Sequence, residues 1–329
     1  MLNFRSSKMK KYIFSFIKNH IKIILFLSIF VLSSNAQANK SGTIMIPKHN
    51  WHSQIVGAEI IGKLFEKVGE EVKYIEADSL EVYKLMANGE IDIVHEIWEG
   101  AFGKVFEDSL ATGNVIDLVT HNAKIREDWW YPIYMESLCP GLPSWEALAE
   151  CSSLFARKDS KGKGVFIGGP SDWLKYDKEK AEALGMNFEI RKMVSAELIW
   201  NEFKQRASTK ESIIIFNWEP NFMNDEYEGK FIEFPKHEPE CFKEVSWGIN
   251  PDSLYDCAYS LGGYIKIGVN VDFEKNHPAA YKVAKQINFS TSDINRMGNL
   301  LESKDFEAEM AAQIWLEENK SKWSMWIEQ

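Results

Sequence analysis

Short apolar runs alternate with stretches of helical periodicity from about residue 43 to the C-terminus. Residues 43–47 (TIMIP) read as a strand, and 53–68 as an amphipathic helix stopped by Gly69. Residues 72–75, 91–94 and 115–118 give three more strands, and Ser79 is placed to cap a helix reaching Asn88, with Gly89 behind it. Residues 130–135 (WYPIYM) read as an extended crossover into a second half that repeats the pattern. That half has a helix after Pro143, a strand at 164–167, helices at 178–184 and 196–206, and a strand at 212–216. Residues 264–269 (YIKIGV) read as a strand returning to the first half, followed by helices from Pro278 onward. The prediction is an α/β protein of two lobes, 43–130 with 262–329 and 131–261, built on mostly parallel sheets. Two crossover segments between lobes leave a cleft, a common place for small ligands. At 329 residues the chain is long enough for two such cores.

The pattern is different before residue 39. Arg5, Lys8, Lys10, Lys11, Lys18 and Lys22 form a basic leader without an acidic residue, residues 23–32 are apolar, and Ala36-Gln37-Ala38 is an A-x-A cleavage pattern. The apolar run is short for a membrane span, and no Cys follows it to carry a lipid. This predicts a signal peptide over 1–38, counted from Met1 or from Met9, and export to a periplasm or equivalent space. Without the leader's six cations, 32 Lys and Arg stand against 48 Asp and Glu, a net of −16. Such a charge argues against nucleic acid or anionic membrane as a partner.

Export changes how the four cysteines are read. In an oxidising compartment an even count suggests disulfides, and Cys139–Cys151 with Cys241–Cys257 closes the two shortest loops. A zinc site is the rival, but no CxxC occurs.

Twelve tryptophans are the compositional anomaly. Trp51 follows TIMIPKHN, Trp98 follows IDIVHEI, Trp173 follows GVFIGGPSD and Trp218 follows SIIIFN, so each stands just past the carboxyl end of an apolar run. Ligands of open α/β sheets bind in the crevice outside those ends. Two of these residues fall in each lobe, and closure would bring the four faces together. Trp145, Trp200, Trp315, Trp323 and Trp326 lie in helical stretches and read as packing. A cage of indoles suits a cation that cannot donate hydrogen bonds. A trimethylammonium head presents only methyl groups, and each desolvated indole face contributes up to about 2 kcal/mol.

At these residues the chain resembles the glycine betaine/choline/trimethylamine N-oxide-binding proteins of ABC transporters. HEIWEG (95–100), CPGLPSWEALAEC (139–151), FIGGPSDW (166–173), FNWEPN (216–221) and KFIEFP (230–235) carry the likeness, which covers the sequence after the leader. The resemblance implies a two-lobed periplasmic binding protein of the type II fold, with a cage of Trp51, Trp98, Trp173 and Trp218. It also implies a monomer without cofactor or metal that passes its ligand to the permease and ATPase of an ABC transporter. The crossover usually adds an aromatic wall, here Trp129, Trp130 or Tyr131, with Trp129 preferred. Betaine binders of the family commonly place His just after the last cage Trp and a Gly-Cys pair after the third. Here those places hold Asn221 and Leu174-Lys175. The difference shifts the expectation toward the N-oxide, whose oxygen needs one or two donors such as Asn221, Ser53 or loop amides.

A Trp-lined cleft in an exported protein also fits a sugar-binding protein or a glycoside hydrolase. Hydrolysis needs two opposed carboxylates about 5–10 Å apart. Glu96, Glu99, Asp172 and Glu219 lie near the expected cleft, where adding negative potential or satisfying loop amides is the plainer role. His95-Glu96 is half of a zinc motif without its second His, and neither GxSxG nor GxxxxGK(S/T) occurs. The expectation is therefore a binding protein, not an enzyme. A receptor domain reporting ligand occupancy to a membrane sensor would carry the same residues.

Overall fold

The first lobe is built on β1 (Thr43–Lys48), β2 (Glu71–Glu76), β3 (Ile93–Trp98) and β4 (Val115–Thr120), joined late in the sequence by β10 (Ile265–Asn270). The second contains β5 (Arg126–Pro132), β6 (Gly164–Gly168), β7 (Phe188–Lys192), β8 (Ile215–Glu219) and β9 (Gly229–Phe231). This computed structural model describes residues 42–302 and 307–328, and from Ile44 the chain forms one compact unit. The expected signal peptide, 1–38, lies outside the described residues.

Strand order is β1-β2, β3-β10-β4 and β7-β6-β8-β5-β9. Parallel pairing, expected for most of the sheets, is seen for β6 with β7 and with β8. β10 runs antiparallel to both β3 and β4, and β5 antiparallel to both β8 and β9. The physical reason is connectivity. β5 and β10 each enter a sheet from the opposite lobe, so no βαβ crossover fixes their direction.

Residues 130–132, expected in a crossover, are the end of β5, and every β5 residue after Arg126 is buried. The passage between lobes comes earlier, where Ile125 bridges Gly263 and the two connecting segments run side by side.

The helix His52–Lys67 buries Val56, Ile60, Ile61, Leu64 and Phe65, and packs under Thr291–Glu302 and Ala308–Glu318. The C-terminal helices thus return to the first lobe, as the periodicity implies. Ser144 and Ser195 cap Trp145–Glu150 and Ala196–Ser208 through bonds from Ala147 N and Leu198 N. Ser79 does not cap. The helix there begins at Val82, and Asp78 Oδ1 accepts from Leu80 N and Glu81 N instead.

Both local disulfides are formed, with Cα separations of 5.9 Å for Cys139–Cys151 and 6.5 Å for Cys241–Cys257, inside the usual range. Among the described residues no helix is long and apolar enough to cross a membrane.

Candidate functional site

The four tryptophans meet where the lobes meet. Trp51 immediately precedes the helix His52–Lys67, and Trp173 lies in the loop after β6. Trp98 and Trp218 lie inside the ends of β3 and β8, which run further than the sequence pattern indicates. A strand holds a side chain more firmly than a loop does. Together with Ala101, Phe102, Phe216 and Glu127 they line a cavity at the lobe junction.

The rings form a box. Trp51 stands edge to face with Trp173 at 5.7 Å and 87°, and Trp173 with Trp218 at 5.2 Å and 86°. Phe102 stacks on Trp51 at 5.8 Å, extending that wall outward. The four indoles are only 3–5% exposed, so the described conformation is a closed one. A Cβ added at Gly169 would lie 2.6 Å from the Trp173 ring, so glycine lets that indole rest against the backbone.

Polar groups behind the rings hold them. Glu96 Oε1 accepts from Trp51 Nε1 at 2.7 Å, Ser53 Oγ at 2.8 Å and Trp98 Nε1 at 2.9 Å. Burial pushes the Glu96 carboxyl above its usual range, while the three donors pull it the other way. Trp173 Nε1 donates to Asn50 Oδ1 at 2.9 Å across the lobe junction. Asn50 Nδ2 donates to Asp172 at 3.1 Å, and Ser79 N to the same carboxylate at 3.2 Å. A second junction contact pairs Lys204 with Glu302.

Three expected contacts fall elsewhere. Ser53 is spent on Glu96. Asn221 donates to Asn217 Oδ1 at 2.9 Å and accepts from Met223 N at 3.1 Å. Both line a smaller cavity on the far side of Trp218, with Trp200 and Phe222. Trp129 is fully buried, stacked on Phe166 at 3.9 Å, with its indole donating to Asp177 at 2.8 Å. Side chains two apart share one face of a strand. On that face of β5 the residue reaching the cavity is Glu127, nearer the cleft than Trp129.

Glu127 is the residue that sequence reasoning missed. Lys175 donates to its Oε1 at 2.7 Å in a buried ion pair, while Oε2 is buried with no hydrogen-bond partner among the described residues. A Cβ at Gly100 would lie 2.0 Å from that oxygen, so only glycine leaves room for the carboxylate there. Lys175, where the resemblance leads one to expect part of a Gly-Cys pair, is what pairs with it. No periodicity marks Glu127, because two adjacent carboxylates, Glu127 and Asp128, ahead of aromatics in a strand look like edge residues.

A family model described as the substrate-binding domain of an ABC-type glycine betaine transport system matches residues 42–318. The chain is 39% identical over 317 residues to a trimethylamine N-oxide-binding protein of Pelagibacter ubique (strain HTCC1062), covering 92% of this chain and 98% of that one. Among solved structures it is similar to an ABC-transporter choline-binding protein in complex with choline, at TM-score 0.68 and 15% identity over 88% of this chain and 93% of that one. Lactococcal OpuAC, closed on glycine betaine, aligns at TM-score 0.64 and 18% identity over 87% of this chain and 100% of its own. At those identities the structural likeness carries the two-lobed fold.

Proposed function

This chain belongs to the substrate-binding domains of ABC-type glycine betaine transport systems, and from that premise we propose that it is exported and closes on a trimethylated ammonium osmolyte. Trp51 and Trp98 from the first lobe and Trp173 and Trp218 from the second form the cage. The lobes exchange chain beside the Ile125–Gly263 bridge. The closed protein then presents both lobes to a permease driven by an ATPase.

The observation that carries this reading is the cavity lining of four indoles, Phe102 and Phe216 with one carboxylate and no cationic side chain. A quaternary nitrogen gains from every face, up to about 2 kcal/mol each when water is excluded. Three to four such faces approach the roughly 8 kcal/mol that micromolar binding requires.

Two features favour trimethylamine N-oxide among such ligands. The box is tightly closed, with all four indoles only 3–5% exposed, which suits the smallest trimethylated head. A betaine carboxylate would also face Glu127 without a cation to meet it, since Lys175 is already paired. The N-oxide oxygen can bond the free Oε2 of Glu127 when one proton is taken up from water on binding. Its relative in Pelagibacter ubique is named for the same ligand.

Isothermal calorimetry of the chain without residues 1–38 tests this against trimethylamine N-oxide, glycine betaine and choline. Tightest binding of the N-oxide is expected. No heat with any of the three would remove the reading.

A further inference from the structure

Glu96 stands behind the cage, not in it. One of its oxygens takes the indole N–H of Trp51 at 2.7 Å and of Trp98 at 2.9 Å, plus the Ser53 hydroxyl at 2.8 Å. The group is 4% exposed, and its surroundings supply hydrogen-bond donors but no paired cation. A buried carboxylate without a counter-ion is costly. A neutral amide oxygen would accept the same three bonds, so geometry alone does not explain a carboxylate here.

Charge does explain it. A hydrogen bond from an indole N–H to an anion is stronger than one to a neutral oxygen, and it polarises the donor. Electron density moves toward the ring, and the face that meets a cation becomes more negative. The carboxylate also adds its own attraction, little screened in a dry site. Two of the four walls share this single support.

We propose that Glu96 is a positioning residue that sets two cage walls and makes the cage selective for cations over uncharged molecules of the same shape. This rests on the reading that the cage holds a quaternary ammonium head. The bound cation is then the missing counter-ion, and an empty or neutral-filled cage leaves Glu96 uncompensated.

The test replaces Glu96→Gln in the otherwise intact chain. Two probes are titrated by tryptophan fluorescence: choline, and its uncharged carbon isostere 3,3-dimethylbutan-1-ol. Glutamine is expected to weaken choline at least about tenfold and to leave the isostere within about twofold. Equal loss of both, or loss of neither, overturns the role given to Glu96 while the cage reading stands. A parent protein that binds neither choline nor trimethylamine N-oxide overturns the cage reading itself. Should the variant not fold, the indole protons of the ¹⁵N-labelled parent decide. Trp51 and Trp98 must resonate downfield of an indole that donates to a neutral oxygen, such as Trp173 on Asn50, as Trp129 on Asp177 should also do, and ordinary positions for both sink the proposal.

Discussion

Trp173 and Asn50 belong to different lobes, yet the indole Nε1 of one donates to the side-chain oxygen of the other at 2.9 Å. A wall of the cage is thus fixed by the residue that also ties the lobes together. Asn50 Nδ2 reaches Asp172 at 3.1 Å, and Asn50 O accepts from Ala196 N at 3.1 Å. On the proposed reading, binding and closure share these atoms.

Asp172→Ala leaves Asn50 Nδ2 and Ser79 N without their acceptor, a cost of about 1–3 kcal/mol to the closed state. Affinity is expected to fall about tenfold or more, mainly through faster release. Stopped-flow dissociation and X-ray scattering check it. The variant's ligand-bound radius of gyration should move toward that of the open form, and an unchanged release rate would show that the junction contacts do not hold the lobes closed.

Trp98→Ala and Trp218→Ala each remove an indole face and its packing, so affinity is expected to drop at least about thirtyfold. Phenylalanine at either place keeps a weaker face and should lose less. Trp200 lies 5.4 Å behind Trp218. Trp200→Ala should therefore lower the melting temperature and reduce affinity by less than Trp218→Ala. Fluorescence titration with trimethylamine N-oxide ranks the variants. Parent-like binding by both cage variants would place the ligand elsewhere.

Gly100→Ala puts a methyl where Glu127 Oε2 now lies. The carboxylate must shift, and with it the polar contact proposed for the ligand oxygen. Calorimetry should show weaker N-oxide binding, with a smaller change for a bare tetramethylammonium ion, which offers no oxygen. Equal effects on the two would detach Glu127 from oxygen recognition.

Acid should destabilise the fold through three histidines of the first lobe. Burial holds His49 and His121 down to about 4 and His95 to about 3, from 6.5. His121 shows why, since Nδ1 accepts from Phe289 N at 3.1 Å and Nε2 lies 2.9 Å from His95 O. A second proton would abolish the first bond. With folded values below the ordinary one, the unfolded chain takes up protons first. Stability is therefore expected to fall as pH drops from 6.5 toward about 4, by up to about 1.4 kcal/mol per unit for each histidine. Glu96, displaced upward, opposes this as pH falls from its raised value to the ordinary carboxylate range. Urea titrations at neutral pH and at about pH 5 test it. His121→Asn should flatten the slope, and a flat profile in the parent would count against the buried cluster.

Much of the site was legible because its signals are local. Each cage tryptophan sits beside the carboxyl end of an apolar run, and a strand's end is where an α/β sheet opens to a ligand. The short spacings of Cys139–Cys151 and Cys241–Cys257 likewise made their loops the natural closures. Trp129 misled because an aromatic in the passage between lobes looks available for the cage. Only the pairing of β5 on both edges shows that it is interior.

What the sequence by itself determined is the chemistry of the walls and the two α/β halves, since periodicity and residue type act over a few positions. Tertiary structure decided the partners. Glu127 reaches the cavity because β5 enters the second sheet antiparallel, in a register that brings its first residues to the cleft. Glu96 joins Trp51, 45 residues away, because the start of the helix His52–Lys67 and the end of β3 converge. Asn50 meets Asp172 across 122 residues because the two lobes come together there. Contacts at such separations depend on how whole elements pack, and no short pattern along the chain encodes them.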